Sequence, residues 1–240
     1  MADLNKNKSN KKSGWKRTWR EKKIINNGFP AKSVGNKNLL QLQIALIGSD
    51  PKIWREIIVS AADSFFALNV AIQDVFGWDD SHLHQFFTVN PYKTRPPYPR
   101  IAIPNPAYDD GEDTVDERKT KVEDYLGKIN AKVYYEYDSG DSWMHEIKVL
   151  KILKNDGKIK TPAIIGGENI APPEDCGGIG GYYDLLEAVN DPKNPNHEDM
   201  MEWLDIEKPS DFDPEKFDMR EIKFSDPKKA LDRYDRFYGK

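Results

Sequence analysis

The feature that most restricts this chain is Leu40-Gln41-Leu42-Gln43-Ile44-Ala45-Leu46, where an apolar side chain falls on every second residue. A period of two belongs to a β-strand with one buried face; a helix would space its apolar residues three and four apart. Gly48-Ser49-Asp50-Pro51 then supplies turn chemistry, and Ile53, Arg55 and Ile57 alternate with Trp54, Glu56 and Ile58. The two alternations predict an antiparallel hairpin. A second hairpin is expected from Val133–Tyr137 and Trp143–Leu150, joined by Asp138-Ser139-Gly140-Asp141, and Leu83–Val89 reads as a further strand.

Helical signals lie between and after these strands. Asp63 or Ser64 can cap a helix in which Leu68, Ala71, Ile72 and Val75 share a face, and Gly77 fits its left-handed end. Thr114 followed by Glu117 has the form of a capping box and predicts a short helix ending near Gly127. Tyr182–Val189, Glu198–Leu204 and Lys228–Tyr238 are patterned as helices. The class expected is α+β: a largely antiparallel sheet built from two hairpins and a further strand, with helices packed on it.

Charge divides the chain differently. Residues 1–38 hold 11 basic and 2 acidic residues, a balance of +9, whereas the remainder holds 25 basic and 38 acidic, a balance of −13. An acidic body repels phosphate backbones, so nucleic-acid binding would fall to residues 1–38 alone. There Trp15 and Trp19 sit four apart among lysines and arginines and would share one face of a helix, an arm suited to stacking on single strands or lying on an anionic surface, although the Lys, Asn and Ser content predicts a disordered basic arm. No apolar run approaches the ~18 residues of a membrane span, so no membrane partner is expected. The one cysteine, Cys176, cannot form an internal disulfide, which suits a reducing cytoplasm. The domain map expected is a flexible basic arm at 1–38, an α+β domain at 39–218 and a charged C-terminal helix or tail at 219–240. Within the domain, residues 90–112 form a loop with six prolines, at 91, 96, 97, 99, 104 and 106.

Three of the four histidines are candidates for chemistry. On a strand, His82 and His84 would project from the same face and form half a metal site; His145, after the second turn, could add a third ligand. Asp141 would then orient a ligand, and Glu174 or Asp175 would serve as general base for a water on a divalent metal cofactor. The competing reading has each histidine hydrogen-bonded locally at a strand end. Ala171–Tyr182 combines two prolines, two carboxylates, Cys176 and four glycines, a loop able to bring acids and amides close to a small ligand. It lacks the lysine and hydroxyl of a phosphate loop, and Ile179 stands where a zinc deaminase would carry its second cysteine. A nucleophilic Cys176 would need a base such as His145.

Four motifs in order resemble the plasmid pRiA4b Orf-three-like family. They are Pro51-Lys52-Ile53-Trp54-Arg55; Phe76-Gly77-Trp78-Asp79-Asp80-Ser81-His82-Leu83-His84-Gln85-Phe86; Tyr135 through His145; and Pro172-Pro173-Glu174-Asp175-Cys176-Gly177-Gly178 with Gly181-Tyr182. Phe212–Asp218 is similar to that family's closing segment, so the resemblance covers roughly Leu39 to Asp218. It implies an α+β domain, similar to proteins encoded on plasmids and near mobile elements, and supplies no established activity. Members often carry another cysteine before the Pro-Pro-Glu-Asp-Cys loop; here Pro162–Gly167 has none, which counts against an essential thiol pair or cysteine-rich metal role. The leading expectation is a binding or accessory module. The alternatives are a metal-dependent hydrolase-like enzyme using the His/carboxylate set, and nucleic-acid binding through the arm.

Overall fold

A computed structural model describes residues 38–104 and 114–238, leaving the basic arm outside the described residues except for Asn38. The first alternation forms β1 (Asn38–Leu46), which pairs antiparallel with β2 (Trp54–Ser60), as the turn chemistry between them predicts. Ser64 caps α1 (Phe65–Phe76) by accepting the Ala67 amide, and Gly77 ends it with φ 73°. The chain continues through β3 (His84–Phe87), β4 (Arg100–Ala102), β5 (Thr114–Asp116), α2 (Val122–Leu126), β6 (Lys132–Tyr137), β7 (Trp143–Lys154) and β8 (Ala163–Glu168). It ends with α3 (Gly178–Asn190), α4 (His197–Trp203) and α5 (Pro227–Tyr238).

The strands form one eight-stranded sheet in the order β5-β4-β3-β6-β7-β1-β2-β8. Every pairing is antiparallel except β4 with β5. One face gathers Leu40, Leu42, Ile44, Ile57, Val59, Val133, Tyr135, Ile147 and Val149 against Leu68, Ile72 and Val75 of α1 and Val122 and Leu126 of α2. Each such side chain fully removed from water contributes ~1.5–3 kcal/mol before chain entropy is subtracted. The opposite face carries a smaller cluster of Phe87, Tyr134 and Met144, with Ile47 and Tyr98 packed against it. The proline-rich stretch is thereby pinned to the sheet: the Tyr98 ring meets Phe87 edge-on at 5.6 Å.

The expected class holds, with three more strands than two hairpins and a further strand provide. β4 and β5 lie in and beside the proline-rich stretch, and β8 contains Gly166-Gly167. The expected helix start at Thr114 is corrected: Thr114–Asp116 is a strand paired with β4, and α2 begins at Val122. Glu117 does not cap a helix, because its buried carboxylate takes His84. His82 is likewise not on a strand, since β3 begins only at His84. At the C-terminus, Ala230 and Leu231 of α5 pack on Phe66 and Val70 of α1, and Ser225 donates its amide and hydroxyl to Asp74.

Candidate functional site

The chain leaving α1 is held by aromatic stacking. Trp78 lies parallel to Phe76 and Tyr137, with ring centroids 5.1 Å away in each case, and its indole N–H donates to the Pro172 carbonyl at 2.9 Å. That bond ties the segment after α1 to the Pro-Pro-Glu-Asp-Cys loop. Glu174 tightens the tie: one oxygen accepts the Asp79 amide at 3.0 Å and the other accepts the Tyr137 hydroxyl. The same hydroxyl accepts the Ser81 amide at 3.1 Å. Burial, reinforced by the Glu174 carboxylate, pushes the Tyr137 phenol well above its ordinary range, so it remains a donor. Glu174 therefore acts as a clamp between two segments and has spent both oxygens on it.

Two glycines let the loop close this tightly. Gly178 has φ 69° and lies so near the Asp141 carbonyl that a Cβ would overlap it; a Cβ on Gly181 would overlap the Cys176 carbonyl. Asp141 itself accepts the Gly177 amide at 3.2 Å. It fastens the loop to the β6–β7 turn instead of reaching a histidine.

Within this frame, three side chains converge. The His82 Nε2 lies 3.0 Å from Asp175 Oδ1, and its Nδ1 lies 3.8 Å from Asp138 Oδ2. The nearer carboxylate is within ion-pair reach but out of line with the ring nitrogen, so Nε2 makes no hydrogen bond although it is shut off from solvent. Asp138 is oriented by the β6–β7 turn: its Oδ1 accepts the Gly140 amide at 2.8 Å, which leaves Oδ2 toward His82. Asp175 is exposed. Among the described residues, no lysine or arginine forms an ion pair with Asp138 or Asp175. One imidazole and two carboxylates thus face one another without a protein cation between them.

The other two candidate histidines serve different purposes. The His84 Nε2 lies 2.9 and 3.1 Å from the two oxygens of Glu117, which is fully buried, and its Nδ1 lies 3.8 Å from Asp80. Burial presses its pKa down, yet Glu117 and Asp80 outweigh that and the net shift is upward. Asp80 in turn accepts from Asn69, which takes the Tyr135 hydroxyl, while Gln73 donates to that hydroxyl; the polar network is internal. His145 is entirely buried among Phe76, Trp78 and Tyr135, with its Nδ1 3.0 Å from the Trp143 carbonyl. Burial holds its pKa down at about 3, so it stays neutral. Among the described residues, His84 and His145 do not belong with His82 to any set of three whose ligand atoms lie within 4.8 Å of one another; the set that does is His82, Asp138 and Asp175. Cys176 is pushed up to about 12 by burial and then by the Asp141 charge, leaving little of the thiolate a nucleophile needs.

Asp138 is the residue that sequence reasoning passed over. It lies within the Tyr135–His145 motif, where its pattern signals only turn chemistry, although a turn aspartate whose second oxygen remains unengaged can also face a ligand.

The family of plasmid pRiA4b ORF-3-like proteins has a model that matches residues 38–221. A similar curated protein, uncharacterized protein y4hQ of Sinorhizobium fredii (strain NBRC 101917 / NGR234), is 28% identical over 177 residues, spanning 73% of this chain and 84% of that one. The crystal structure of protein of unknown function MM3350 from Methanosarcina mazei Go1 is also similar. It is 34% identical, with a TM-score of 0.67, and the match covers 79% of this chain and all of the other. The motifs, the sheet and the span of these matches agree, and the chain belongs to the plasmid pRiA4b ORF-3-like protein family.

Proposed function

We propose that this protein is a cytoplasmic binding or accessory module of a mobile-element-associated family, and that it takes a positively charged ligand where His82, Asp138 and Asp175 meet. The observation that carries the reading is the distribution of engagements. Glu174 holds protein to protein through both oxygens, His84 through Glu117, and Asp141 and His145 through one bond each, whereas among the described residues Asp138 and Asp175 face an imidazole with no lysine or arginine paired to them. Of the two candidate bases for a hydrolase-like role, Glu174 has both oxygens bonded, and Asp175 faces His82. The functional unit in this reading is residues 39–218, with the arm and the C-terminal helix as appendages. Nucleic-acid binding by residues 1–38 falls outside the described residues.

Amide-detected NMR on the full chain tests the reading, with guanidinium, methylammonium and inorganic phosphate titrated at constant ionic strength. The expected result is that the two cations shift Ser81–Leu83, Asp138–Ser142 and Asp175–Gly178 while phosphate leaves them unmoved. Cation shifts confined to other regions would overturn it. So would turnover of an ester, peptide or phosphodiester substrate that disappears in His82→Ala.

A further inference from the structure

We infer that the ligand of this site is a divalent first-row transition-metal ion, held by one imidazole nitrogen of His82 and one carboxylate oxygen each from Asp138 and Asp175. The inference rests on the binding reading above and names the ligand. Two donors ~2.1 Å from one ion, at tetrahedral or right-angled positions, lie ~3.0–3.4 Å apart. The 3.0 Å from His82 Nε2 to Asp175 already falls in that range, and one nitrogen of His82, one oxygen of Asp138 and one oxygen of Asp175 all lie within 4.8 Å of one another, so side-chain adjustments suffice to bring the three donors onto one ion.

Two further observations point to a cation. The His82 Nε2 is buried as an atom and has no hydrogen bond, an arrangement that costs free energy unless something accepts its lone pair. Asp138 is held by Gly140 through one oxygen only, the arrangement in which a bonded carboxylate presents its other oxygen to a metal. The Glu174 clamp acts one step further out: by joining Asp79 and Tyr137 it fixes the segment of His82 against the loop of Asp175. Donor chemistry sets the class of ion. Imidazole with carboxylates suits zinc, manganese, nickel or ferrous iron, while calcium and magnesium prefer oxygen alone and cuprous copper prefers sulfur. Three protein donors leave at least one coordination position for water or for a donor from a partner.

The test is equilibrium dialysis of the metal-stripped full chain against Zn2+, Mn2+ and Ni2+, with elemental analysis, and Co2+ absorption as a spectroscopic readout. One ion per chain is expected. Binding should be lost in His82→Ala and in Asp175→Asn, an exposed position whose replacement leaves the core untouched, and kept in His197→Ala. Glu174→Gln, which alters the clamp and not a ligand, should weaken binding ~10–100-fold. Uptake well below one ion per chain, or unchanged uptake in both ligand variants, overturns the inference. If guanidinium and methylammonium still shift the site while no metal is taken up, the metal inference fails and the binding reading stands; if neither binds, both fail.

Discussion

Replacing His145 by leucine isolates one titration in the core. In the folded protein this imidazole is fully buried and its pKa is near 3, whereas an unfolded histidine protonates near 6.5. Below pH 6.5 the unfolded chain therefore binds a proton that the folded chain refuses, so stability rises with pH and is lost progressively as pH falls from 6.5 toward 3. Between pH 6.5 and 4.5 the loss spans two units at ~1.36 kcal/mol each, ~2.7 kcal/mol in all. Leucine removes the titration and the hydrogen bond to the Trp143 carbonyl together, the latter giving an offset that does not vary with pH. Urea unfolding of both proteins at pH 7, 6, 5 and 4.5 provides the assay, because the many carboxylates titrate alike in each and cancel in the difference. The gap should move in favour of His145→Leu by ~2.7 kcal/mol over that range. Parallel stability curves would refute the argument, since they would require a His145 that titrates normally in the folded state.

Other perturbations probe the remaining features. His84 has a raised pKa, so its contribution is complete below pH 6.5 and is lost as pH rises through its folded value; Glu117→Gln should flatten that decline and cost ~3 kcal/mol at pH 6, read by urea unfolding from pH 6 to 9. Arg55 is buried, donates to the carbonyls of Val75, Trp54 and Glu168, and stacks on Phe217 at 3.8 Å. Arg55→Leu strands three acceptors and should cost ~3 kcal/mol or more in chemical denaturation, with Arg55→Lys restoring only part because it lacks the planar fork. In thermal unfolding, Gly178→Ala and Gly181→Ala should each lose ~1–3 kcal/mol, whereas Gly180→Ala, whose added methyl meets open space on a helix, should gain ~1 kcal/mol.

The elements most legible in the sequence were those whose local pattern and tertiary role coincide. β1 and β2 alternate cleanly because one face is buried, and α1 carries its cap, apolar stripe and terminal glycine together. β4 and β5 were hidden because three-residue strands have too little period to read, and β5 pairs parallel with a neighbour that no local turn announces. β8 was obscured by Gly166-Gly167, the second of which packs against the Phe217 ring where any larger side chain would collide. For the site, the segments of His82, Asp138 and Asp175, each within one of the quoted motifs, come together. What spacing could not reveal was which histidine turns inward. His82 and His84 are two apart but not on one strand, and Glu117, far along the chain, decides where His84 goes. The role of Glu174 was invisible for the same reason: its partners Asp79 and Tyr137 come from distant segments.

The placing of β1 has a consequence for how the molecule can be made. It emerges first of the described strands yet lies in the interior of the sheet, and its longer border is with β7, where Leu46 stands opposite His145. Until β7 has been synthesised, β1 and β2 form a ribbon with an open, largely apolar border, and no fragment ending before β7 can enclose its own interior. Such late closure by distant partners favours slow folding. A nascent or truncated chain is therefore exposed to wrong pairing and to holdase chaperones for most of its synthesis. Cutting the gene between the two hairpins should yield pieces that associate with each other or precipitate, instead of two independently stable halves.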